Sequence, residues 1–162
     1  MEIITADLWD QHAERLTLLN VDFKHFGKKE SFAGEVVTLK VYEDNTYVRK
    51  MLENDGSGKV LVIDGGGSRR CALVGDNIAK LAIDNHWEGI LVYGCIRDSK
   101  EINTMDVGIK AIGTCPVKSV KRNVGVLGEE LIIEGTRIKN AHYVYADLDG
   151  VLLSSEKLVN NI

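Results

Sequence analysis

Arg97 and Asp98 stand side by side at the end of the apolar run Gly89-Ile90-Leu91-Val92-Tyr93-Gly94-Cys95-Ile96. Two charges at the end of a buried strand are costly unless something pairs or uses them. An arginine fork fits a carboxylate bidentately, and an aspartate offers the hard oxygen that Mg2+ or Mn2+ prefers. One protein carboxylate completed by waters and substrate oxygens is a workable Mg2+ shell. The competing reading is a plain salt bridge at a strand end, and these two residues alone leave the choice even. Glu101, three residues beyond Asp98, is placed either to hold a metal-bound water or to be the first-turn acid of a short helix.

The segment Gly75-Asp76-Asn77-Ile78 opens a helical pattern. The first N–H groups of a helix lack internal partners and the dipole there favours negative charge, so a substrate carboxylate suits this backbone. Taken alone, the segment reads more readily as Asp76 capping its own helix. Asp64-Gly65-Gly66-Gly67-Ser68-Arg69-Arg70 resembles a phosphate cradle only superficially. It lacks both the Gly-Lys-Ser/Thr ending of a P-loop and dinucleotide spacing, and it reads as a tight turn. The histidines His12, His25, His86 and His142 show no paired spacing for zinc, and no G-x-S-x-G elbow is present.

These groups need elements to position them. Thr5 is a candidate cap, and Leu8, Ala13, Leu16 and Leu19 extend a helical spacing over residues 5 to 19. A β-branched run at 34–41 and a helical stretch from Asn45 to about Glu53 form a β-α unit. Lys59-Val60-Leu61-Val62-Ile63-Asp64 reads as a strand buried on both faces. Ile78, Ala79, Leu81, Ala82 and Trp87 mark an amphipathic helix to about His86, followed by the strand that ends at Arg97. Open α/β sheets bind ligands at such strand C-termini. After Pro116, turn signals at Gly125, Gly128, Glu134-Gly135 and Asp149-Gly150 predict β-hairpins. The expected fold class is therefore α/β with a mixed sheet, two β layers and one α layer.

The 162 residues fit one domain covering 1–162, and they are 44% hydrophobic, enough for a core without staples. A net charge of -4 argues against a phosphate-backbone partner, so nucleic acid is not expected. Cys71, Cys95 and Cys115 form no C-x-x-C pair and read as reduced core thiols. No apolar run approaches a membrane span and no basic leader opens the chain, so a soluble cytoplasmic protein is expected.

Taken together, these residues resemble the class II aldolase/RraA-like family, which includes the regulator of ribonuclease activity A and 4-hydroxy-4-methyl-2-oxoglutarate aldolases. The resemblance rests on Val62-Ile63-Asp64-Gly65-Gly66-Gly67-Ser68 leading to Ala72-Leu73-Val74-Gly75-Asp76. It continues with Arg97-Asp98 after twenty intervening residues, then Glu101, then Tyr145-Ala146-Asp147-Leu148-Asp149-Gly150. In one place the sequence departs: Lys139-Asn140-Ala141 stands where many relatives have a Pro-Gly-Asp turn.

The resemblance implies a three-layer β/β/α fold of the swivelling-domain type, in a ring-shaped homotrimer with active sites between subunits. It implies that the backbone of Gly75, Asp76, Asn77 and Ile78 and the side chain of Arg97 hold a small 2-oxo acid. Asp98 would ligate Mg2+ or Mn2+, with Asp76 or Glu101 orienting the base. The implied activity is cleavage of 4-hydroxy-4-methyl-2-oxoglutarate to two pyruvates, with oxaloacetate decarboxylation through the same pyruvate enolate. The rival reading, from the regulator branch, is a non-catalytic protein that docks on an endoribonuclease.

Overall fold

The computed structural model describes residues 2–159. Its centre is a parallel quartet of strands. β3 (Phe32–Lys40) pairs with β4 (Lys59–Asp64), β4 with β6 (Gly89–Ile96), and β6 with β7 (Ile109–Thr114). These strands alternate between two buried faces. Leu61, Ile63, Ile90, Val92, Ile109 and Ala111 pack on one side, while Val60, Val62 and Leu91 pack on the other. Burial on both faces explains why β4 and β6 are nearly continuous apolar runs rather than alternating ones.

The first face is covered by helices: α2 (Thr46–Leu52) contributes Val48 and Leu52, α3 (Asp76–Asp84) contributes Ile78, Ala79 and Ala82, and α4 (Ser99–Ile102) contributes Ile102. The second face is covered by β structure. The hairpin of β9 (Leu131–Ile133) and β10 (Thr136–Ile138) packs there, while β11 (Tyr143–Ala146) pairs antiparallel with β3 and β12 (Val151–Ser154) with β11, extending the same sheet beyond β3. The expected β/β/α layering is thus present. The Glu134-Gly135 turn joins β9 to β10 and Asp149-Gly150 lies between β11 and β12, as their residue types predict.

The N-terminal segment differs from the helix expected over residues 5 to 19. Helix α1 spans only Thr5–His12, a 3-10 turn follows at Ala13–Arg15, and β1 (Thr17–Leu18) pairs antiparallel with β12. Leu16 and Leu19 are buried from extended backbone in two different core clusters, so their helix-like spacing was coincidental. Thr5 is also not the cap. The Asp147 carboxylate, from the loop after β11, accepts the Thr5 amide at 2.8 Å and its hydroxyl at 2.7 Å. A carboxylate from elsewhere in the chain therefore satisfies the helix N-terminus.

Two other details bear on the sequence reading. At the Lys139-Asn140-Ala141 departure, Ala141 adopts φ 67° and Asn140 Oδ1 accepts the Thr38 amide at 3.0 Å, so this side chain fills a ladder position beside β3. The three cysteines are free and buried.

Candidate active site

Strand β5 (Ala72–Val74) runs parallel to β6, with Ala72 opposite Cys95 and Val74 opposite Ile96 across a register irregularity. The two strands therefore end together. The Arg97 amide donates to Val74 O at 2.9 Å, and the chain beyond β5 passes through Gly75 into α3 beside Arg97 and Asp98. This convergence brings together Gly75, Asp76, Arg97 and Asp98, residues more than twenty apart in sequence, at the C-terminal ends of parallel strands.

Asp98 has φ 59° and ψ 37°, a left-handed conformation that aspartate tolerates better than most residues, and it turns the chain from β6 into α4. Its Oδ2 accepts the Asp76 amide at 3.1 Å. Asp76 is thus not the cap of α3, as one reading of the sequence had it. Asp76 Oδ1 instead takes the amide of its neighbour Asn77 at 2.8 Å, and Asp98 supplies an acceptor to the helix N-terminus from another strand. Of the four amides from Gly75 to Ile78, those of Asp76 and Asn77 are engaged within the protein. Those of Gly75 and Ile78 have no acceptor among the described residues.

Gly75 lies close against the side chains of Asp98 and Arg97. A Cβ there would lie 2.8 Å from Asp98 Oδ2 and 3.6 Å from Arg97 Cγ and Nε. Arg97 is half-buried, and among the described residues its guanidinium makes no ion pair or hydrogen bond. The plain salt-bridge alternative is therefore absent. A guanidinium without a protein partner has the chemistry to bind an anion, and an exposed carboxylate that to bind a cation. Glu101, in α4, is exposed and its side chain makes no hydrogen bond among the described residues.

Among the described residues no three His, Cys, Asp or Glu side chains cluster as a metal cage. The donor set fits Mg2+ or Mn2+, since Asp98 offers one accessible carboxylate whose Oδ1 is free of protein donors.

The glycine turn after β4 is closed to phosphate. The Gly65 and Gly67 amides donate to Tyr93 O at 3.0 and 3.1 Å, and the Gly66 amide to Asp64 Oδ1 at 2.9 Å. Ser68 and Arg70 are both bound to Glu43. The amides that would cradle an anion are consumed by the turn itself.

Residues Val117 to Val124 form a second flank that the sequence reading did not single out. The Ala72 amide donates to Val117 O at 2.8 Å, and Ala72 makes a parallel bridge with Lys118, so this segment runs beside β5 on the edge away from β6. Buried Asp44 anchors it. Asp44 Oδ1 accepts the Thr46 amide and hydroxyl, and Oδ2 accepts the Arg122 and Val124 amides at 2.8 and 3.2 Å. Burial pushes the Asp44 carboxyl up, but these four donors outweigh it and hold the pKa at about 2. The basic run Lys118, Lys121, Arg122 right after the only proline was the available signal.

A mixed sheet with helices on one face, β-hairpins on the other and charged groups gathered at strand ends defines a layered α/β protein. Residues 5–153 match the RraA-like family model, described as Aldolase/RraA, and the chain belongs to that family. A Vibrio parahaemolyticus relative, provisionally named a 4-hydroxy-4-methyl-2-oxoglutarate aldolase, is 48% identical over 158 residues, covering 98% of this chain and 99% of its own. A Geobacillus kaustophilus structure described as an S-adenosylmethionine:2-dimethylmenaquinone methyltransferase superposes with a TM-score of 0.94. It shares 46% identity and covers 96% of this chain and 97% of its own. The Thermus thermophilus RNA-processing inhibitor RraA gives a TM-score of 0.93 at 41% identity, with 99% and 98% covered. Three different activities are thus named on one fold, so the choice among them rests on the site. Among the described residues no helix is long and apolar enough to cross a membrane.

Proposed function

We propose that this protein is a divalent-metal-dependent lyase that cleaves 4-hydroxy-4-methyl-2-oxoglutarate into two pyruvates and decarboxylates oxaloacetate as a side reaction. The observation that carries the reading is the unpaired Arg97 guanidinium beside the accessible Asp98 carboxylate at the N-terminus of α3. The names of the curated relatives support the same chemistry.

Arg97 would hold the 1-carboxylate of the substrate, aided by the free amides of Gly75 and Ile78 and the positive end of the α3 dipole. Asp98 would ligate Mg2+ or Mn2+. A cation bound there supplies a Lewis acid for the 2-oxo group, stabilising the enolate as it forms. In the aldol cleavage a base takes the 4-hydroxyl proton, the C3–C4 bond breaks, and its electron pair passes into the C2 carbonyl. One pyruvate leaves, and the remaining enolate is protonated at C3 to give the second. Asp76 and Glu101 are the carboxylates placed to orient the base. Oxaloacetate gives the same enolate by losing carbon dioxide and needs no such base.

The site is shallow in one chain, with Asp98 and Asn77 exposed. We place it between subunits of a homotrimer, where a neighbouring chain would exclude water from the reaction.

The test is pyruvate release from both substrates with Mg2+ and with excess chelator. Turnover above that of free metal and abolished by chelation supports the lyase. The similarity to the Thermus inhibitor favours one rival, a regulator that docks on an endoribonuclease. No turnover with either substrate, together with inhibition of an endoribonuclease, would decide for it.

A further inference from the structure

Strand β2 (Lys24–Phe26) forms one edge of the sheet and pairs with β7, placing His25 directly opposite Lys110. His25 Nε2 lies 2.9 Å from Gly27 O. A carbonyl oxygen only accepts, so Nε2 carries the proton and Nδ1 is left as an acceptor. That Nδ1 is buried and has no hydrogen-bond partner among the described residues. Lys110 is 3% exposed, and its side chain likewise makes no ion pair or hydrogen bond among them. Directly opposed residues of an antiparallel pair share one face. A buried orphan nitrogen and a buried ammonium are therefore neighbours across β2 and β7.

What β2 leads into is the hold on the segment after α4. The Gly27 amide donates to Asn103 Oδ1 at 2.9 Å, the Lys28 amide to Met105 O at 2.9 Å and the Lys29 amide to Val107 O at 3.2 Å. Gly27 has φ 93°, and a Cβ there would lie 1.8 Å from Val107 O. At the other end of α4, the Asp98 carbonyl accepts the Ile102 amide at 2.9 Å. Contacts thus run from His25 through Gly27 and Asn103 to the helix that Asp98 opens.

We propose that His25 is an acid-operated latch: neutral, it keeps β2 and the Gly27 turn on the segment after α4, and protonated, it lets them open. Protonation turns Nδ1 into a buried donor without an acceptor and sets an imidazolium opposite the Lys110 ammonium. Both penalties are relieved when β2 moves into water, and an edge strand of three residues is where local opening costs least. Burial, and after it the Lys110 charge, push His25 below its ordinary 6.5, against the Gly27 carbonyl and Glu30. The charged groups acting on the pair are thus Lys110 on β7, Glu30 in the loop before β3 and, on Lys110, Asp147 after β11. The opened imidazole titrates first as pH falls. The latch is therefore fully closed above pH 6.5 and loosens as pH drops through the lower value of the closed state. None of this depends on the lyase reading.

The experiment is hydrogen exchange on the full chain at about pH 7.5 and about pH 5, either side of the ordinary histidine value, corrected for the intrinsic pH dependence of exchange. Wild type is compared with His25→Gln, which stays neutral and keeps an N–H for Gly27 O, and with Lys110→Met. In wild type the Gly27, Lys28 and Lys29 amides should lose protection in acid, while the Ile90 amide, bonded to Gly108 O in the sheet interior, keeps it. His25→Gln should keep protection at both pH values, and Lys110→Met should lose less than wild type. Equal protection of the three amides in wild type at both pH values would overturn the proposal. So would the same acid loss in His25→Gln, or a loss in wild type that includes Ile90, which is global unfolding. An NMR titration of the His25 ring in wild type covers a His25→Gln that does not fold, and a ring titrating at or above 6.5 would also overturn the latch. A wild type inactive as a lyase would leave these readouts unchanged.

Discussion

Asp98 Oδ2 accepts the backbone amide of Asp76 at 3.1 Å, so the carboxylate assigned to the metal also holds the first amide of α3. The two roles separate by substitution. Asparagine keeps a carbonyl oxygen for the amide but loses the negative charge, whereas alanine loses both. Asp98→Asn should lower metal-dependent kcat by at least about a hundredfold while leaving the melting temperature near wild type. Asp98→Ala should match that loss and be about 1 kcal/mol less stable, the cost of a lost N-terminal acceptor. Turnover and urea denaturation on both variants check this, and an active Asp98→Asn would remove the metal role.

Gly75→Ala tests the same contact from the other side. Its φ of -123° suits any residue, so no backbone strain is added. The new methyl would lie 2.8 Å from Asp98 Oδ2, and one of the two must move. The expected outcome is a fall of at least about tenfold in kcat/KM, with a weaker apparent Mg2+ affinity and little change in stability. A metal titration of initial rates reads it, and wild-type kinetics would show that the carboxylate is not held in place by this approach.

How far these relationships were legible in the sequence follows from their range. β4 and β6 were legible because burial on both faces leaves a continuous apolar run, and Arg97 and Asp98 stood out as charges at the end of one. That Asp98 and Asp76 share one site was legible only through the family resemblance, since their approach depends on a parallel pairing with a register irregularity that no local pattern encodes. Asp147 at the start of α1 is hidden for the same reason, reaching Thr5 across 142 positions. Leu16 and Leu19 misled because helical spacing cannot distinguish one helix face from an extended chain that feeds two clusters.

Asp44 should make the second flank sensitive to acid. Its carboxyl is held at about 2 against an ordinary 3.8, so the stabilisation is fully present above pH 3.8 and is lost as pH falls through about 2. The depression corresponds to about 2 kcal/mol for this buried group. Asp44→Asn should therefore be less stable than wild type at neutral pH, with the gap closing as pH falls from 3.8 toward 2. Urea midpoints measured across that range check the sign. A gap constant with pH would mean that the donors to Asp44 do not favour its charged form.

The proposed trimer makes a prediction about mass and about which surface disappears. Val120 and Val124 are 63% and 62% exposed, and Val117, Val126, Leu127 and Ile132 are exposed with them. A single chain rarely leaves this many large apolar residues open in one stretch of sequence unless a partner covers them. Light scattering should give a particle near 54 kDa, three times the 17.9 kDa chain. If the stretch from Val117 to Ile132 lies in the contact, Val124→Asp should lower the particle mass and leave the chain's circular dichroism unchanged. It should also reduce lyase turnover, because the shallow site around Asp98 would lose the neighbour that excludes water. A wild-type monomer with full activity would instead show that one chain completes the site alone.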